Sequence, residues 1–166
     1  MLPIILDPHR LVAGLAGEGA AWGRRLEALR AAGVEPVPVA ADARDFGGLG
    51  LLYIAGLDLM SAVELAGRAR AARVLVNVED RPELCDFHVP AVVRQGDLVI
   101  AVSTGGLAPA LARQLRAWLG ERFGPEWKDR VEKLGAARAS WRAQGVSGAD
   151  ISERTRRLID GQGWLP

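Results

Sequence analysis

A single cysteine, Cys85, excludes an internal disulfide, and the two histidines, His9 and His88, are too far apart to give a zinc-type ligand spacing. No resident metal is expected. No apolar run approaches the ~20 residues that a membrane-crossing helix needs, and the start, MLPIILDPHR, lacks the basic segment, long apolar stretch and small-residue cleavage site of a signal peptide. A cytoplasmic protein without membrane partners is therefore expected. A formal net charge of +1 leaves no electrostatic footprint for nucleic acid. Arginine supplies nearly all of the positive charge, which suits forked recognition of carboxylates or phosphates, so the expected partner is a small anion. No stretch repeats at a fixed period, and none is low-complexity enough to be a long disordered linker.

What is present is the composition of a globular chain, 49% hydrophobic and 25% charged over 166 residues, a length that suits one core with a helical appendage. Residues 10–16, RLVAGLA, form an apolar run ending at Gly17, Gly19 and Gly23, and residues 20–32 follow with Leu26 and Leu29 at helical spacing. A glycine turn between a strand and a helix lets a pyrophosphate approach backbone N–H groups at the helix N-terminus, here through Gly17, Gly19 and Ala20. With so many glycines in the chain, a chance spacing is the competing explanation. Residues 34–40 resemble a second strand whose Pro36 and Pro38 favour a sheet edge. Asp42 then lies where an acidic side chain meets a ribose hydroxyl, and Arg44 beside it keeps the phosphorylated cofactor open. Residues 49–55 and 74–78 read as third and fourth strands around a helix at 59–72, so a parallel sheet with Gly17, Gly56 and Asn77 on one rim is expected.

The chain is organised around residues 77–106, NVEDRPELCDFHVPAVVRQGDLVIAVSTGG. Asn77, Glu79 and Asp80 follow an apolar strand directly, at the end where open α/β sheets place their ligands, and Asp80 is the leading candidate for a reacting carboxylate. The alternative is a turn that merely precedes Pro82. Residues 87–93 and 98–102 read as a strand pair, which places His88 within an apolar strand and leaves it either a satisfied cavity histidine or a contact for metal delivery. Cys85 reads as a small buried residue. Three helices follow, at 107–123, 125–143 and 150–159, the last preceded by Ser147 at capping-box spacing from Asp150. Their apolar residues are too few for an independent core. The stripe Trp127, Val131, Leu134 and Trp141 is expected to pack on a second copy, giving a homodimer.

The run VNVEDRPELCDFHVPAVVRQGDLVIAVSTGGLAPALARQLR resembles the signature of the siroheme synthase dehydrogenase/ferrochelatase family, the precorrin-2 dehydrogenases. Upstream, LPIILD followed by HRLVAGLAGEGAAWGRR is similar to that family's opening strand, Rossmann strand and glycine turn, and LLYIAGLDLMSAVE to its third strand and following turn. The likeness runs to about Arg116; beyond it, the helical tail is similar only in character. It departs from the family in Gly17-Glu18-Gly19, where three adjacent glycines are usual, in Gly56-Leu57-Asp58, and in a short segment at 41–48.

The resemblance implies an α/β, Rossmann-like parallel sheet at 1–80, a short β-rich dimerisation and active-site segment at 81–106, and a helical dimerisation and substrate-site region at 107–166. It implies NAD-dependent oxidation of precorrin-2 to sirohydrochlorin, with insertion of ferrous iron as a further activity in some members. Asp80 matches the family's essential aspartate, either as a base or in orienting substrate. Gly17, Gly19, Ala20, Asp42, Gly56 and Asp58 would face the cofactor. Asn77, Arg81, His88, Ser103, Thr104, Gly105 and Arg113 would face the substrate, whose many carboxylates suit guanidinium forks. A chelatase without the dehydrogenase step, and a protein that binds dinucleotide or tetrapyrrole without turnover, remain the alternatives.

Overall fold

A computed structural model describes residues 2–165. The chain forms two compact units, Met1–Val89 and Pro90–Pro166, rather than dividing at residues 80 and 106. Residues 81–89 stay with the first unit because they fold back along its last strand. The hairpin that follows packs instead with helices of the second.

In the first unit, β1 (Ala13–Gly17), α1 (Gly19–Ala31), β2 (Val37–Val39), β3 (Leu51–Ala55), α2 (Leu59–Ala71) and β4 (Leu75–Val78) build a four-stranded, all-parallel sheet of order β2-β1-β3-β4. The fold is thus the Rossmann-like α/β arrangement expected. Parallel strands are buried on both faces, and Leu51, Leu52, Ile54 and Ala55 are accordingly all buried. One face packs Leu52, Ile54, Val76 and Val78 against Ala62, Leu65, Ala66 and Ala69 of α2. On the other, Leu15, Tyr53 and Asn77 stand in register beneath α1.

Several boundaries differ from the sequence expectation. β2 is three residues long and lies at the sheet edge, where Pro38 costs no ladder bond. The expected opening strand is absent: among the described residues none before Ala13 is in a strand, Leu2, Ile4 and Ile5 are exposed, and a single 3-10 turn at Pro8–Arg10 is capped by Asp7, whose Oδ1 accepts from the His9 N–H at 2.9 Å. The link from β2 to β3 has no helix. Phe46 plugs it into the core, and Arg68 of α2 donates to the carbonyls of Ala43 (2.9 Å) and Ala41 (2.7 Å).

The second unit comprises a hairpin of β5 (Ala91–Gln95) and β6 (Leu98–Val102), then α3 (Pro109–Arg122), α4 (Glu126–Ala143) and α5 (Gly148–Gly161). β5 starts four residues later than expected, so His88 is not in a strand; it is exposed in the coil before Pro90. The Ser147 box does form: its hydroxyl accepts from the Asp150 N–H at 3.2 Å and donates to the Asp150 carboxylate at 2.7 Å. α3 lies on the hairpin through buried Ala112 and through Arg116, which donates to the Val92 carbonyl at 3.0 Å. The stripe Trp127, Val131, Leu134 and Trp141 is half-buried, because α4 packs against β5, β6 and α5 of its own unit. The exposed apolar face is on α3, where Leu111, Leu115 and Trp118 are 48%, 37% and 50% exposed. Among the described residues no helix is long and apolar enough to cross a membrane.

Two glycines hold the sheet's loops together. A Cβ at Gly17 would sit 1.8 Å from the Ala55 carbonyl oxygen, and one at Gly56 2.0 Å from the Glu18 carbonyl oxygen. Gly17→Ala should therefore lower the unfolding free energy by about 3 kcal/mol or more, since backbone on both sides must move. Gly67→Ala, inside α2 with open space around the added methyl, should raise it by up to about 1 kcal/mol. Urea denaturation of the two variants measures both.

Candidate functional site at the carboxyl rim of the sheet

The strand order reverses between β1 and β3, the position at which open α/β sheets form their ligand crevice. There the turn after β1 and the turn after β3 interlock, with the Glu18 N–H donating to the Ala55 carbonyl at 3.2 Å. Gly17 and Gly56, expected to face a cofactor, thus pack backbone against backbone. Gly19 is different: it begins α1 with φ of 73°, and nothing lies within 4 Å of where a side chain would project. Glu18, the residue before the helix, makes no side-chain cap. The N–H groups of the first turn, including that of Ala20, sit at the positive end of the helix dipole, and Glu18, Gly19 and Ala20 are all exposed. These residues fit a pyrophosphate. Asp42 is exposed three residues beyond β2, on the same sheet end. Asp58 is already engaged. Its Oδ1 accepts from the Ser61 N–H (3.0 Å) and its Oδ2 from the Ser61 hydroxyl (2.6 Å), which caps α2 and holds the Asp58 carboxyl below the usual range.

The segment after β4 carries the main candidate. The Arg81 N–H donates to the Val78 carbonyl at 3.3 Å, closing a tight turn over 78–81 whose third residue, Asp80, has φ of 60°. That position favours glycine; aspartate is among the few side chains that tolerate it. Asp80 is exposed there, and so is Arg81. The chain then returns along the open edge of β4. The Asp86 N–H donates to the Val76 carbonyl at 2.8 Å, and the Asp86 carboxylate accepts from the Val76 N–H at 2.9 Å. Arg70 of α2 in turn donates to Asp86 at 2.9 Å. Asn77, expected to contact substrate, is buried, and its amide donates to the Phe87 carbonyl at 2.9 Å and toward the Cys85 sulfur at 3.5 Å.

Three residues that sequence reasoning passed over surround this turn. Arg24 and Arg25 of α1 reach the Glu79 carboxylate at 3.3 and 3.4 Å, and Arg25 also lies over the Tyr53 ring, 5.4 Å from its centroid. Tyr53 meets Phe87 edge to face at 5.3 Å. The adjacent arginines of α1 were the available signal, but a pair of charges on a helix surface usually means solvation, and only the crossover of α1 over the sheet brings them to β4.

In the second unit, Ser103 and Thr104 follow β6, and Gly105 and Gly106 have φ of 68° and 82°. The Ser103 hydroxyl accepts from the Gly105 N–H at 3.3 Å, and the Thr104 hydroxyl from the Ala108 N–H at 3.2 Å, just before Pro109 opens α3. Both hydroxyls keep a proton to donate. Arg113 is exposed one turn into α3.

A parallel sheet whose glycine turn meets an open helix N-terminus at the switch point defines a dinucleotide-binding α/β protein. The chain belongs to the family described as "Putative NAD(P)-binding", whose model matches residues 4–91. Residues 95–120 match the model described as sirohaem biosynthesis protein central. Among curated relatives, the siroheme synthase of Methylococcus capsulatus is 32% identical over 95% of this chain and 35% of its own length. That of Nitrosococcus oceani is 41% identical over 55% of this chain and 18% of its own. The chain thus spans about a third or less of the curated relatives it matches. A solved structure, SirC, precorrin-2 dehydrogenase, shares the fold at a TM-score of 0.76 and 18% identity, covering 100% of this chain and 93% of that one. The resemblance read from residues 76–116 therefore rests on relatives as well as on motif.

Tyr53 is the only tyrosine in the chain, so its titration can be followed directly. Burial pushes its phenol above the ordinary value of 10.0, and the Arg25 charge opposes that. An alkaline titration of phenolate absorbance should give a midpoint above 10.0, moving higher still in Arg25→Ala. Because the unfolded phenol loses its proton first, this group's contribution should fall as pH rises past the ordinary value.

Proposed function

We propose that the chain binds a nicotinamide dinucleotide at the N-terminus of α1 and uses it to oxidise precorrin-2 to sirohydrochlorin, with Asp80 as the base. The observation that carries this reading is the Asp80 turn. A position that favours glycine holds a carboxylate instead, exposed at the carboxyl end of β4, two strands along the sheet from the open helix end. The names and second-unit match of the relatives support the substrate class.

The reaction removes a hydride and a proton from the macrocycle. The nicotinamide, when bound, takes up the hydride. The first-turn N–H groups of α1 hold its pyrophosphate, and Asp42 accepts a ribose hydroxyl; that carboxylate would repel a 2′-phosphate, which favours NAD over NADP. Asp80 takes the proton. Arg81 beside it and exposed His88 are suited to the substrate's carboxylates; the second unit, taken by itself, offers exposed Arg113 and the free protons of Ser103 and Thr104 to the same kind of group.

Asp80→Asn keeps a side chain that tolerates the left-handed turn and removes only the basic oxygen. Precorrin-2 oxidation should fall ~100 to ~10,000-fold while NADH still binds. Gly19→Val should weaken NADH binding in calorimetry, since its side chain enters the space before the helix end. Oxidation by Asp80→Asn at the parent rate would sink the mechanism. Undiminished NADH binding by Gly19→Val would place the cofactor elsewhere.

We also propose that the chain acts as a homodimer, through α3 rather than α4. Leu111, Leu115 and Trp118 recur along one exposed helix face, next to Leu107, which is 93% exposed. Sedimentation at micromolar concentration should give a dimer, and Leu115→Glu a monomer.

A further inference from the structure

We propose that Cys85 is a positioning residue for Asp80, with Arg25 as its counterpart on the other flank; this rests on the reading of Asp80 as the reacting base. A left-handed aspartate is tolerated rather than preferred, and both of its neighbours here are tied.

Downstream, the Cys85 thiol spans the turn from end to end. Its sulfur accepts from the Val78 N–H at 3.3 Å and is shared as a donor between the carbonyls of Val78 and Arg81, both at 3.2 Å. Val78 and Arg81 are the first and last residues of the turn that holds Asp80 third. The 3-10 turn at Pro82–Leu84 brings Cys85 back to this place, where its N–H donates to the Pro82 carbonyl at 3.2 Å. Upstream, the Glu79 N–H donates to the Ile54 carbonyl at 2.9 Å, and its carboxylate takes the two arginines of α1. Arg25 is itself ordered by the Tyr53 ring, with only 16% of its side chain exposed. The Asp80 carboxylate between them is exposed and takes no hydrogen bond or ion pair from the described residues, as suits a group held for something else.

Thiol and hydroxyl share the same donor and acceptor roles, which makes the test specific. On the full chain, with precorrin-2 and NAD, Cys85→Ala should lower kcat about 10- to 100-fold, the cost of displacing a reacting group by a fraction of an ångström to an ångström. KM for both reactants should stay within about twofold, because neither is bound by the thiol. Cys85→Ser should recover kcat to within about threefold of the parent. Parent-like turnover in Cys85→Ala, or a Cys85→Ser variant as impaired as the alanine, overturns the proposal. So does a change confined to KM and the melting midpoint, which would make Cys85 a stability residue only. Should Cys85→Ala fail to fold, the pair Arg25→Ala and Arg25→Lys tests the other flank by the same kcat and KM split, with lysine partly restoring the charge contact. The Asp80→Asn variant, run alongside, separates the two readings. If it oxidises precorrin-2 as fast as the parent, the base assignment fails and the proposal with it. If it collapses while Cys85→Ala and Arg25→Ala do not, only the positioning proposal fails.

Discussion

Everything at the rim depends on two peptide backbones touching where a side chain would ordinarily keep them apart. The Gly17 and Gly56 turns meet at the reversal of strand order, each with a carbonyl in the place of the other's missing Cβ. That contact draws β1 and β3 into register to their last residues and sets where α1 begins. The open helix end is its consequence. Glu18 is held by its N–H to Ala55, so the helix starts at Gly19 with its first N–H groups facing outward and no side chain to satisfy them.

The second constraint is the free edge of β4. A parallel sheet that ends on an exposed strand invites pairing with another chain, and this one is covered by its own returning segment. Side chains do part of the backbone's work: the Asp86 carboxylate and the Cys85 sulfur take strand N–H groups that a fifth strand would otherwise take. The tight turn that starts this return is also the turn that displays Asp80. Edge protection and the presentation of a carboxylate are therefore one piece of structure, fastened to α1 by Glu79 and to α2 by Arg70.

The second unit is a thinner construction. Among the described residues, Val93, Ala112 and Ile151 are its buried apolar side chains, and much of the remaining apolar surface lies along α3. A unit of this kind gains little from its own core, and an added copy over α3 would bury the face its helices leave open.

The repeating pattern of apolar runs and helical spacing was enough to establish the parallel sheet, both of its helices and the three helices of the second unit, because burial on one or both faces imposes a period that the residues carry directly. The Pro38 edge strand and the Ser147 cap were legible for the same reason: each is a local backbone requirement met by a local residue. What depends on contacts far apart in the chain was not legible. Nothing local distinguishes Gly17, filled by Ala55, from Gly19, which faces open space, or marks Asp58 as the cap of α2. His88 looked like part of a strand because Phe87 to Val93 is mostly apolar, whereas the return along β4 and Pro90 delay the strand to Ala91. The apolar stripe of α4 and that of α3 look alike in sequence; only the packing of α4 against the hairpin and α5 decided which one stays exposed. The left-handed conformation of Asp80 and the thiol that spans its turn belong to the same class, since residue type sets what a backbone tolerates and the tertiary fold sets what it is made to adopt.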